Sequence, residues 1–230
     1  MDYQPRTIAL LSELYHPPLT PDPRPVQKLH NEMFEEESAP VYTSFAVTPV
    51  GPVLSNPVTR QGAASQVAFL QDRFQFREEL GSLTAESFGQ RVREGSERVL
   101  PHRKVQVFTG QQVTLRSLVN PRNFRDARAF LKEGMFGFAT QTEALGREPQ
   151  LYGLRLVFPP EDEGSHAYAV RIESYSNDPR SLFLEIQATY GPLLVVRGLD
   201  ALETRVLQTY EFLIERVLAF VARFDARQEA

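Results

Sequence analysis

The sequence predicts an α+β protein built as two strand-run-plus-helix halves, with mainly antiparallel sheets and the helices packed on one face. Three observations carry that expectation. Apolar residues alternate with period two in grouped runs, roughly over 41–100 and again over 151–225, instead of singly between helices. Each run closes on an amphipathic helical stretch, 83–100 and 200–224. The 230 residues are 42% hydrophobic and 23% charged, an ordinary globular composition that can bury a sizeable core without staples. The expected organisation is a single domain over 1–230. Its two similar halves, about 1–115 and 116–230, show no residue-level repeat.

The elements follow in order. Residues 7–15, TIALLSELY, read as a first strand. The segment HPPLTPDPRP places five prolines between His16 and Pro25, and proline lacks an N–H and stiffens the residue before it, so this is a rigid connector. Pro25 then opens a short helix with Val26, Leu29, His30 and Met33 on one face. Residues 41–58 are rich in β-formers, but Pro49 and Pro52 confine them to an edge strand or a turn. Residues 66–80 read as a hairpin turning at Asp72-Arg73, or as a bulged strand. Thr84 is the expected N-cap of the next helix, which Pro101 stops. The alternation of Val105, Val107, Val113 and Leu115 about Thr109-Gly110 predicts a further hairpin. A third helix over RDARAFLKEGMFGF ends at Gly134 or Gly137. Strands are expected at 151–158, at HAYAVRIESYS and at SLFLEIQATYG. In the last helix Asp200 and Glu203 have capping-box spacing, and Leu202, Val206, Tyr210, Leu213, Val217, Phe220 and Phe224 recur at three and four.

Many chemistries are excluded at this level. There is no cysteine, so disulfides, zinc ribbons, iron–sulfur clusters and thiol nucleophiles drop out. No glycine-rich phosphate loop, serine elbow or HExxH pair occurs. His16, His30, His102 and His166 are far apart and expected on the surface or in loops, and no metal or cofactor is implied. The acidic clusters at 35–37 and 161–163 read as solvated faces. The apolar run Ile8–Leu11 is too short for a signal peptide, and acids and arginines interrupt 210–224, so a cytoplasmic protein with no membrane contact is expected.

One charge asymmetry stands out. Residues 91–132 hold ten basic side chains against Glu94, Glu97 and Asp126, a net of +7, while the whole chain carries −4. A polyanion site would draw on Arg91, Arg98, Arg103, Lys104, Arg122, Arg125, Arg128 and Lys132. Arg122, Arg125 and Arg128 are the tightest group and would share one side of a helix. The competing expectation is that these cations pair with acids of the rest of the chain.

The block 66–138, with FLQDRFQFREEL and VTLRSLVNPRNFRDARAFLKEGMFGF, resembles a sporadically distributed family of uncharacterised bacterial proteins of similar length. Its members carry an "LRYIN"-like phrase, matched here by Leu115-Arg116-Ser117-Leu118-Val119-Asn120. They open with a strand and a proline pair, as SELYHPP does, and close with a strand, a short loop and a long amphipathic helix, as 182–224 does. The resemblance implies no known activity. It marks Arg116 and Asn120 as family-like polar positions, and the family's scattered distribution looks like that of defence-linked accessory genes.

Three functions are therefore expected, in order. The first is a non-catalytic binding or assembly accessory protein with a protein partner, the last helix also serving a homodimer. The second is a nucleic-acid-binding accessory subunit using 91–132. The third is an enzyme with a dispersed carboxylate and arginine site.

Overall fold

The computed structural model describes residues 3–36, 41–58, 60–138, 140–162 and 166–225. Its frame starts with β1 (Arg6–Tyr15), where Leu10, Ser12 and Leu14 turn one way and Leu11, Glu13 and Tyr15 the other. The proline connector leads into α1 (Arg24–Glu36), which buries Val26, Leu29 and Met33. Next come β2 (Ser44–Thr48), β3 (Gly51–Ser55), β4 (Ala64–Phe69) and β5 (Arg73–Glu79), then α2 (Ala85–Val99). The second series is β6 (Val107–Phe108), β7 (Gly110–Val119), α3 (Ala127–Ala129) with a π-helical turn over Phe130–Met135, and β8 (Gly153–Phe158). It continues with β9 (Ala167–Ser174), β10 (Leu182–Tyr190) and β11 (Leu193–Leu194). The closing helix is α4 (Asp200–Glu211), a π-helical stretch over Phe212–Val217, and α5 (Leu218–Phe224).

Nine strands form one sheet in the order β2-β3-β4-β5-β1-β7-β10-β9-β8, and every pairing is antiparallel. The α+β class with mainly antiparallel strands is thus the observed one. The order has an internal logic. Each half starts with a central strand, β1 or β7, and its last hairpin strand, β5 or β10, comes back to pair on it. β1 and β7 then lie side by side, Leu10 opposite Leu115 and Ser12 opposite Val113. The first half contributes five strands and the second four. A division at 115/116 falls inside β7.

The helices cover one face. Under the first half, Leu14, Phe69, Phe74, Phe76 and Leu115 pack with Phe88 and Val92 of α2 and with Leu202 and Val206 of α4. Under the second, Ile172, Leu184 and Ile186 pack with Phe130, Leu131, Leu213, Val217 and Val221. Helices α2 and α4 cross closely at Gly89, where a Cβ would sit 3.2 Å from Glu203 Cγ and 3.3 Å from its carbonyl. The apolar stripe of the closing helix is spent on this core, which leaves only Ile214 as a large exposed apolar side chain there. No helix of the described residues is long and apolar enough to cross a membrane.

Several local expectations hold. The Thr84 hydroxyl accepts from the Ser87 N–H at 3.2 Å as the α2 cap, and the β4–β5 hairpin forms, its turn one residue earlier than expected, at Gln71-Asp72, with Arg73 opening β5. Others are corrected. The hairpin about Thr109-Gly110 does not form. β6 pairs with β11, and β7 takes β1 and β10 as partners, because a ladder of nine residue pairs on each side outweighs a short local one. The Asp200/Glu203 capping box is absent: Leu199 is the N-cap and makes no side-chain cap bond, while the Glu203 carboxylate accepts from Arg93 Nε at 2.8 Å. His16 is buried instead of exposed, its ring edge-on to Phe74. Its Nδ1 bonds the Pro17 carbonyl at 2.8 Å, and its Nε2 is buried without a partner.

Two predictions follow from the core. Phe76 is fully buried beside Gly95, and Phe76→Ala should cost about 3–5 kcal/mol in urea melts. Burial holds the His16 imidazole below its ordinary value, with Arg103 adding to the effect. The unfolded chain therefore takes the proton more readily. Stability is complete above about pH 6.5 and falls as the pH drops through the folded-state value. Thermal melts at pH 7.5 and 5.0 should show this loss, and His16→Phe should reduce it.

Candidate functional site

Because the helices occupy one face, the alternate residues of every central strand line the other. Glu13, Gln75, Arg77, Glu79, Gln112, Thr114, Arg116, Glu185, Gln187, Arg171 and Glu173 stand there, in register across β5, β1, β7, β10 and β9. This face is charged and internally paired. Arg77 donates to Glu79 at 2.6 Å, Arg116 Nε donates to Glu185 at 2.7 Å, and Arg171 reaches the other Glu185 oxygen at 3.3 Å. Arg116 also approaches Glu79 at 3.7 Å, across β1. Ala9 lies between them in register, and its methyl leaves the space for that crossing. A second group gathers on Glu13, which accepts from Gln75 at 2.9 Å and pairs with Arg73 at 3.1 Å.

The guanidinium groups lie outward of the carboxylates. The side chains of Arg77, Arg116 and Arg171 are 37–42% exposed, against 14–25% for Glu79, Glu185 and Glu173. The row Glu79, Arg116, Glu185, Arg171 alternates in sign across the sheet. It then breaks its own pattern, because the residue on β8 in register with Arg171 is Arg155, and Arg155 is exposed. Two cations thus stand side by side at the sheet edge, an arrangement that is unfavourable by itself. Among the described residues no carboxylate lies within ion-pair distance of Arg155. β8 is the end strand, and Val157 and Phe158 next to Arg155 are exposed apolar residues.

The basic segment is distributed, not gathered. Arg91 lies on the Tyr42 ring, 3.5 Å from Glu78, and borders a small concavity with Arg98. Arg103 is buried beneath the β4–β5 turn, and Lys104 is exposed. Arg116 belongs to the open face. Arg122 lies over the Tyr3 ring. Arg125 is exposed and approaches Asp126 at 3.6 Å. Arg128 and Lys132 converge on Glu148, at 3.8 and 3.1 Å. The expected single helical side for Arg122, Arg125 and Arg128 does not exist. The Asp126 carboxylate caps the helix by accepting from Ala129 N at 2.7 Å, so helix begins only at Ala127.

Asn120 sits in a polar junction with Ser181 and Asp178. The Ser181 oxygen is 2.8 Å from the Asn120 amide and 2.6 Å from the Asp178 carboxylate. A hydroxyl has one proton. It lies between two acceptors, the Asp178 carboxylate and the Asn120 Oδ1. Hydrogen bonding from Ser181 holds the Asp178 carboxyl below the ordinary range. Nearby, the buried Asp225 carboxylate accepts from the backbone N–H of Arg122 at 2.7 Å, from Asn123 N–H at 3.0 Å and from the Tyr3 hydroxyl. Burial pushes the Tyr3 phenol up, and the hydrogen bond to Asp225 adds to that. The end of the closing helix, the loop after β7 and the N-terminal segment are thereby tied together. This clasp gave no sequence signal.

Glu37 and Glu163 of the acidic clusters lie outside the described residues. Among the described residues no group of three or more histidine or acidic side chains is placed to hold a metal ion. Compared with family models, curated proteins and solved structures, the chain matches none.

Asp225→Ala should strand two partly buried N–H groups and a phenol, at a cost of about 3 kcal/mol. Hydrogen exchange should then rise first at the amides of Arg122 and Asn123.

Proposed function

We propose that this is a non-catalytic binding and assembly protein that takes an extended, acidic segment of a protein partner onto the free edge of β8. The observation that carries the reading is the break in the charge row at Arg171 and Arg155. A carboxylate on a strand added beside β8 would stand next to Arg155 and continue the alternation that runs inward through Glu185, Arg116 and Glu79. Main-chain hydrogen bonds along the edge would supply affinity, and Arg155 with the exposed Val157 would supply selection. The strand count supports the same edge: β2 closes the first half as its fifth strand, and the second half has a vacant fifth place.

A cytoplasmic location, supported by the absence of cysteine, belongs to this proposal. So does membership of the sporadically distributed bacterial family that 66–138 resembles, with a defence-linked context. The nucleic-acid reading has less support, since the cations of 91–132 point to separate parts of the surface and many meet carboxylates.

The test is a tagged pull-down from host lysate with and without nuclease, run on the native chain and on Arg155→Glu. Arg155 is exposed, so the variant should fold. Protein partners that survive nuclease and are lost with Arg155→Glu are the expected result. An unchanged partner set would remove β8 from the reading. Nucleic acid recovered with partners lost on digestion would transfer it to the basic segment.

A further inference from the structure

A second site is carried by a different part of the molecule. The proline connector and the β2–β3 turn face each other across a cavity of about 610 Å3, within the range of small-molecule sites. Pro18, Pro21 and Pro23 wall one side, and Val47, Val50 and Pro52 the other. The walls are rigid. Gly51 has φ +144°, and a Cβ there would stand 2.5 Å from the Phe69 carbonyl oxygen, so the turn is seated directly on the β4–β5 hairpin.

The cavity also reaches Arg103, whose residue is only 6% exposed. Its guanidinium lies over the Phe74 ring and donates to the Phe69 and Leu70 carbonyls at 3.4 and 3.1 Å. Two of five N–H groups are used in this way. Among the described residues no carboxylate lies within ion-pair distance of it. The two acids on the cavity wall are already engaged: Asp22 accepts from Arg24 at 2.9 Å, and Asp72 pairs with Arg73 at 3.4 Å. The Asp22 carboxylate acts on Arg103 only from beyond ion-pair distance, and a desolvated cation without a direct counter-ion is costly in a fold. Phosphate would satisfy the charge but would leave the valine walls uncovered, Val47 and Val50 being 62% and 69% exposed. A carboxylate attached to an apolar body fits both the cation and the walls, and a planar guanidinium matches its two oxygens.

We propose that this cavity binds an apolar monocarboxylic acid, its carboxylate on Arg103 and its hydrocarbon between the proline connector and the β2–β3 turn. The experiment is a titration of the full-length chain with 3-phenylpropionate, 3-phenylpropionamide and inorganic phosphate, followed by amide NMR. The acid should shift Gly51, Leu70, Gln71 and Arg103, and it should bind at least about tenfold tighter than the neutral amide, the ratio of one lost charge-assisted hydrogen bond. Phosphate should leave those signals in place. Arg103→Gln should abolish the preference for the acid. If that variant does not fold, Val50→Glu should weaken the acid more than the amide, because the added carboxylate repels only the acid. Equal binding of acid and amide, shifts confined to other residues, no shift at millimolar acid, phosphate binding as tightly as the acid, or an unaltered preference in a folded variant would each overturn the proposal.

Discussion

The antiparallel pairing of β1 with β7 is the constraint on which the rest of the molecule depends. Each is a ten-residue strand and the opening strand of its half, and each also takes the last hairpin strand of that half on its other side. Without this one ladder there would be two small sheets with exposed edges at the centre. The junction is also pinned from the helix side. Buried Gln111 on β7 donates from its amide to Ser12 on β1 and to the Leu202 carbonyl on α4, both at 3.1 Å. Three elements distant in sequence thus meet through one side chain.

That arrangement decides what each face can be. Since both halves send their helices to the same side, the apolar half of every central strand is buried and the polar half is left to form a single continuous surface. On it, residues from five strands fall into rows that no segment contains by itself. Arg116 illustrates this. It sits one strand away from Glu185 and two from Glu79, and it reaches both only because Ala9 intervenes with a methyl. The carboxylates are recessed and the guanidinium groups are outermost, so the surface presents cationic donors although its charges nearly balance.

The two proposed sites use different ends of the molecule and different physics. At the β8 edge the determinant is a break in a charge pattern combined with free main-chain groups. At the proline connector it is a desolvated arginine between stiff apolar walls. Proline supplies the stiffness there: its fixed φ leaves the connector few alternative conformations, so the cavity is shaped before anything enters it.

Local periodicity determined a good part of the fold. The alternation of β1, the Asp72 turn, the Thr84 cap, the Pro25 helix start and the stripe of the closing helix were all legible, because each depends on neighbours within a turn or a hairpin. What only the tertiary structure decided depends on partners distant in the chain. Val105–Leu115 alternates like a hairpin, yet β7 found longer ladders in β1 and β10. Glu203 has capping spacing, yet it bonds Arg93 across a helix crossing. The basic segment has one composition but several destinations, since a strand, a turn and a helix lie within it. Arg116 and Asn120 stood out in the sequence, but the partners that give them meaning come from other strands and loops. Arg155 gave no signal as a site, and Arg103 stood out only as one cation of the basic segment. Charge and burial at a residue are set by strand order and packing, and spacing along one chain does not encode either.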